Sequence, residues 1–316
     1  MSSSRPFLIL AAGAALAAPL AAEPITVSTV PMGGMVVEVP SGLQMLSMDF
    51  QKPAVFQGPV GTISGSSVVI STEELNVSAP SYVQVLDGDA LGTVVSVSSF
   101  SNGVLQLETP IVDLAEGDSI AVRPHITLSD FSTTPELSTN SSITFYGSSG
   151  TFETFTFFSG DFLGLPEGVW ADSNFEDAGN AVIFPGEGFV LNNSGSPVTA
   201  LVSGVVSTSP VKISVGPSFT LVGALNPLGS STIGQVFSNL TEGAIVDIYG
   251  AGLTSSDSYF ALDAATLGLG QGVVFTDSQF EELFDHVLVP ASTPAVVTPG
   301  GVQRVVSIPA SYIPSN

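Results

Sequence analysis

The sequence predicts an all-β protein with two β-rich regions: a small antiparallel barrel or sandwich, then a second sandwich-like domain with one short helix near the C-terminus. Three observations carry this. Short apolar or alternating runs rich in Val, Ser, Thr and Phe recur along the chain, each bounded by Gly, Pro, Asn or Asp, the pattern of many short strands. Mean hydropathy is positive, yet after the first twenty-odd residues no apolar segment is long enough to span a bilayer without a break. Cys is 0, so a core and not a disulfide framework must hold the fold.

In chain order, residues 1–22 carry Arg5, an apolar run from Phe7 to Ala18 and small residues through Ala22. This is the three-part pattern of a secretory signal, cleaved after Ala22 or, as a second choice, after Ala17. The first β region, 23–128, contains six strand-like runs at 55–60, 67–70, 82–86, 93–99, 104–107 and 119–122. Asn102-Gly103 tolerates the positive φ of a tight hairpin turn, Asp87-Gly88 is a second turn, and Glu116-Gly117-Asp118 turns the chain into the last run. Residues 129–142 are rich in Ser, Thr, Pro and acids and read as a linker or exposed loop.

The second β region, 143–316, contains a weak internal echo. The Tyr146-Gly147 pair ends one apolar run and Tyr249-Gly250 ends another, with Phe157 and Phe260 each following the tyrosine by eleven residues. Each unit also meets a Pro-Gly turn, Pro185-Gly186 and Pro299-Gly300, so a duplication of 143–191 in 246–305 is expected. Ser278 with Glu281 makes a capping box, and Phe280, Leu283, Phe284 and Val287 recur at helical spacing. His286 would end that helix.

Composition narrows function. The chain has 28 acidic and 5 basic residues, for a net charge of −23, and cleavage would remove Arg5 and no acid. Four scattered cations cannot follow a phosphate backbone, which excludes nucleic acid and disfavours anionic membranes. An outer-membrane barrel would show aromatic girdles that Tyr 5 and Trp 1 cannot supply. No Gly-x-Ser-x-Gly elbow and no phosphate-binding loop occurs.

Arg123-Pro124-His125-Ile126-Thr127-Leu128, the Tyr146-Gly147 unit, Trp170 and the stretch Phe184-Pro185-Gly186-Glu187-Gly188-Phe189 together resemble a family of function-unassigned secreted bacterial proteins that occur as many paralogues in certain environmental bacteria. The resemblance covers roughly residues 30–191. It implies export and a β-rich fold, and it brings no catalytic or binding residue with it.

Candidate sites are few. Arg123 and His125 stand together at the boundary between the two regions, where holding a turn is expected, with Arg123 paired to an acid. Trp170 with Phe162 and Phe175 would make a small aromatic platform for a glycan or other ligand. Asp172, Asn174, Glu176 and Asp177 offer oxygens at spacing a calcium ion accepts. The EF-hand positions that require Gly and Glu are instead Asp177 and Ile183, so calcium is the one cofactor considered and none is required. Two carboxylates across a cleft would make a glycoside hydrolase. The expected function is non-enzymatic: a secreted structural, adhesive or matrix protein with self-association or an extracellular glycan or protein as partner. The alternatives are a glycan- or ligand-binding module and a carboxylate-dependent hydrolase.

Overall fold

The computed structural model describes residues 30–72, 75, 80–131, 133–147, 151–160, 167–216, 218–223, 225, 227, 231–237, 239–250, 253–279, 294–300 and the strand 305–308. The compact unit begins at Pro31; of the separate unit Met1–Val30 only Val30 is described, and it is exposed. No helix among the described residues is long and apolar enough to cross a membrane.

Three strands come first: β1 (Met32–Val39), β2 (Gly42–Ser47) and β3 (Phe50–Gln51). The next six are β4 (Phe56–Ser64), β5 (Ser67–Ile70), β6 (Ser81–Val85), β7 (Val94–Ser101), β8 (Val104–Leu107) and β9 (Ser119–Pro124). These close an antiparallel barrel in the order β4-β5-β8-β7-β6-β9. The expected turns hold its corners. Asn102 and Gly103 have φ of 50° and 77°, the pair of positive values a two-residue hairpin needs, and Gly88 and Gly117 are also positive. Alternate residues fill the interior, among them Val83, Val85, Leu105, Leu107, Ile120 and Val122. The opposite face of β6 and β9 is also buried, because Tyr82, Gln84, Ala121 and Arg123 pack against the rest of the molecule.

The chain continues through β10 (Ile126–Thr127), a single 3-10 turn (Leu128–Asp130), β11 (Thr133–Thr134), β12 (Ser142–Tyr146), β13 (Phe152–Phe158), β14 (Val169–Ala171), β15 (Val182–Ile183), β16 (Gly188–Asn193) and β17 (Val198–Val206). A five-stranded sheet runs β14-β13-β12-β16-β2, while β17 pairs with β1, β3 and β11. Of the residues expected to form the first region, then, only 56–124 close the barrel. Met32–Val39 and Gly42–Ser47 instead pair with β17 and β16. Both of these early strands are alternating and apolar, and local pattern says nothing about which distant strand they meet. Segment 129–142, expected as a linker, is built in. Phe131 and Leu137 are buried in the same core as Phe189, and β11 pairs with β17.

The last strands are β18 (Val211–Ser214), β19 (Thr220–Val222), β20 (Ile245–Tyr249), β21 (Ser256–Asp263), β22 (Val273–Thr276), β23 (Ala295–Thr298) and β24 (Val305–Ile308), with one helical turn, α1 (Ile233–Val236). The second five-stranded sheet runs β22-β21-β20-β23-β19, and β18 pairs with β24. Read against sequence order, this is the arrangement of the first sheet, element for element.

Small details match as well. Asn140 (φ 69°) donates its N–H to the Phe157 carbonyl at 2.9 Å, and Gly243 (φ 82°) donates to Ala261 at 2.9 Å. Phe157 returns a bond to Ser141 and Ala261 returns one to Ala244, both at 2.8 Å. Both helical turns start with a capping box, in which Asp130 accepts from Thr127 N–H and Gln235 accepts from Thr232 N–H. The barrel occupies the span between β3 and β10, whereas only residues 223–231 separate β19 from the second capped turn.

The two Pro-Gly turns do not correspond. Pro185-Gly186 precedes β16, and Pro299-Gly300 follows β23, the strand with the same place in its sheet. Pro-Gly is general turn chemistry, so its recurrence marks a bend and not a register. The expected helix from Ser278 to Val287, with His286, lies outside the described residues beyond Gln279.

Candidate functional site

Arg123 and His125 leave β9 on the side facing away from the barrel interior. His125 is buried, and its ring packs 4.7 Å from Tyr82 and 4.8 Å from Phe184. Its Nε2 meets Ser96 Oγ at 3.3 Å, while Nδ1 has no hydrogen-bond partner among the described residues. Burial, helped by the nearby Lys52 charge, holds its pKa down at about 4, so the ring is neutral at ordinary pH.

Arg123 does not make the expected ion pair. Its Nη1 donates to the Lys52 carbonyl at 3.0 Å, and Lys52 itself bridges to Asp130 at 2.7 Å. Burial lowers the Arg123 pKa, and the same burial raises that of Tyr82, its neighbour across the β6–β9 register. The reason is placement: Asp130 is already committed to the Thr127 cap, where Lys52 reaches it. The pair thus fixes the barrel to the sheets, and the Ser96 hydroxyl on the neighbouring strand β7 is the hydrogen-bond partner that His125 has among the described residues.

The acidic loop has an internal use. Asp172 Oδ1 accepts the backbone N–H groups of Asn174 at 2.8 Å and Glu176 at 2.9 Å, bonds that lower its pKa. Asp177 Oδ1 accepts from Gly179 N–H at 2.8 Å. Two of the four expected calcium ligands are therefore bent back onto the loop's own backbone. Among the described residues no three His, Cys, Asp or Glu side chains gather as a metal ion would require.

The aromatic platform is not assembled. Trp170 is 2% exposed and packs 5.1 Å from Phe157, at the wall of a pocket of about 300 Å³ that also includes Phe131 and Leu137. Phe175 is 50% exposed, and Phe162 lies outside the described residues. Trp170 sits on a strand between two buried neighbours, and its size favours the core. Because Trp170 is the single tryptophan, its emission is expected to be blue-shifted and resistant to iodide quenching in the native protein. A red-shifted, freely quenched signal would contradict its burial.

A site that sequence reasoning missed lies between the outer faces of the two five-stranded sheets. It is a cleft of about 430 Å³. Met45, Val190 and Asn192 from the first sheet stand across from Leu221, Val296 and Thr298 from the second. These correspond position by position, since Met45 pairs with Val190 as Leu221 pairs with Val296. Tyr146 and Tyr249 end matched strands, and Leu43 and Phe219 occupy matched rims, with the Tyr146 and Phe219 rings 5.3 Å apart. The Tyr-Gly echo was the one available signal. Met45 and Val190 gave none, because a strand with apolar residues on both faces looks the same whether its second face meets a core or a cleft.

A second cleft, of about 280 Å³, lies where the barrel meets Phe184, Pro185 and β18. Burial raises the pKa of its Glu187 to about 7. Of these clefts, and a further one beside Glu38, none is lined by two carboxylates among the described residues.

The molecule is thus an all-β protein in which a closed barrel sits between strands of the first of two sheets with the same strand order. Comparison with protein-family models, curated proteins and solved structures gives no match for this chain.

Proposed function

We propose that the chain is a secreted, non-enzymatic structural or surface protein that associates with further copies of itself through strand edges. The observation that carries this reading is β1. It is the end strand of its sheet among the described residues, and its outer face with that of β17 exposes three large apolar side chains, Met32 at 64%, Val36 at 67% and Leu201 at 60%, beside Glu38 and Ser203. Val36 and Leu201 are direct cross-strand partners, so their side chains form one patch. An end strand of eight residues with no proline and a single charge, Glu38, has few of the features that discourage pairing.

A contrast within the molecule supports the reading. In β18, the strand that stands in the second set where β1 stands in the first, Lys212 N–H donates to the Gly92 carbonyl of the barrel at 2.7 Å, and Gln84 reaches the neighbouring Pro210 carbonyl at 3.2 Å. The barrel covers one of the two matched edges and leaves the other. The N-terminal signal pattern and the acidic composition support export, and the commitment of Arg123, His125 and Asp172 to packing and capping supports a scaffold.

Analytical ultracentrifugation over a wide concentration range tests this. The protein should form concentration-dependent oligomers that strengthen with salt, as its many like charges are screened. Val36→Lys should shift the association constant at least tenfold toward monomer. A wild-type protein that stays monomeric throughout would sink the proposal.

A further inference from the structure

We infer that the cleft between the two five-stranded sheets binds one neutral, predominantly apolar small molecule carrying hydroxyl or carbonyl groups. The volume of about 430 Å³ lies in the range of ordinary small-molecule sites, roughly 300–1,000 Å³. The floor and walls supply the apolar character. Met45 and Leu221 are buried at the base, Val190 and Val296 are half-buried above them, and Leu43 and Phe219 are exposed at the rim.

Polarity in the cleft is all neutral: the hydroxyls of Ser142, Thr144, Tyr146, Tyr249 and Thr298, and the Asn192 amide. In a chain with 28 acids, no carboxylate among the described residues lines this cleft. Asp247 on β20 is the direct cross-strand partner of Val296 and so shares the cleft-facing side of the sheet, but it accepts a hydrogen bond from Ser258 and is not part of the lining. Among the described residues an anionic ligand would find no cation here, and the one nearby carboxylate, Asp247, is already held by the Ser258 hydroxyl, so neutrality is the complementary property.

The same lining disfavours a sugar. The branched and thioether side chains of the floor neither stack on a pyranose ring nor bond its hydroxyls, so a sugar could meet only the Tyr146, Tyr249 and Phe219 rings around them. Apart from Thr144, which is mid-strand in β12 and hydrogen-bonded to Thr154, the hydroxyl and amide groups lie toward the strand ends, where they can hold one or two polar groups of an otherwise apolar molecule. This goes beyond the scaffold reading and does not depend on it, because β1 and the cleft share no residue.

The test uses N-phenyl-1-naphthylamine, an uncharged dye whose fluorescence rises in apolar surroundings. Purified protein should bind it saturably with one dye per chain. Val190→Trp and Val296→Trp, which fill the cleft from opposite walls, should each weaken binding at least tenfold, while Val36→Ser, on β1, leaves it unchanged. Asn192→Asp places a carboxylate on the wall without adding bulk and should also weaken it; that variant decides the matter if the tryptophan variants fail to fold by circular dichroism. 1-Dodecanol should displace the dye, and cellohexaose should not. The proposal is overturned by absent or non-saturable dye binding, by cleft variants that bind as wild type, by loss of binding in Val36→Ser, or by displacement with cellohexaose alone.

Discussion

Replacing Phe189 by alanine is expected to destabilise the sheet core by about 4 kcal/mol, from lost apolar burial and the cavity left behind. Phe189 is fully buried in the middle of the first five-stranded sheet, with Phe145 of β12 on one side and Leu46 of β2 on the other. Its ring lies 5.6 Å from that of Phe145 and 6.0 Å from that of Phe131, so three elements lose a partner together. Trp170 belongs to the same core and reports its unfolding directly. The check is a denaturant titration followed by Trp170 fluorescence. The barrel interior has its own core, so a barrel transition followed by circular dichroism should shift less than the tryptophan signal. A loss under 1 kcal/mol in the Trp170 transition would show that this packing is not tight.

The second large effect concerns pH, where two buried groups act with opposite sign. His125 is held neutral, its pKa lowered from 6.5 to about 4. Between these values the unfolded chain binds the proton and the native one does not. The contribution is therefore complete above pH 6.5 and is lost as pH falls through 4. The displacement is worth roughly 3 kcal/mol at about 1.4 kcal/mol per pH unit.

Glu187 is raised from 4.5 to about 7. Here the native state holds the proton that the unfolded chain releases, so its contribution is complete below pH 4.5 and is lost as pH rises through 7. Its size is somewhat smaller, since Glu187 is only half-buried. From pH 4.5 to 6.5 the two nearly cancel. Each single variant should expose the other: Glu187→Gln should grow more stable with rising pH across this window relative to wild type, and His125→Phe should grow less stable. Denaturant midpoints at pH 4.5, 5.5 and 6.5 measure it. Parallel curves for all three proteins would refute the assignment.

The barrel was legible because its information is local. All six of its runs, and the turns at Asn102-Gly103, Asp87-Gly88 and Glu116-Gly117, lie within one continuous stretch, and hairpin turns fix the register of their own flanks. The sheets were not legible in the same way. Nothing in Met32–Val39 specifies that it meets Val198–Val206, because any alternating strand satisfies the same pattern.

Trp170 shows the limit for sites. An aromatic near two phenylalanines reads equally as a platform or a core, and only the pairing of β14 with β13 places it inside. Arg123 shows the same for charge. With 28 acids in the chain an ion pair looked assured, yet the Lys52 carbonyl holds its guanidinium, since backbone position and not charge count decided the partner.

The placement of the barrel between β3 and β10 also sets an order of events as the chain is made and folded. Every barrel strand pairs within residues 56–124, so this part can close as soon as those residues are free. The strands before it must wait. β1 finds β17 only after Val206 has emerged, across a separation that makes its closure entropically costly and slow. Until then an eight-residue apolar strand travels unpaired at the front of the chain, and a barrel that folds early keeps its ends, Phe56 and Pro124, close to one another while the rest arrives.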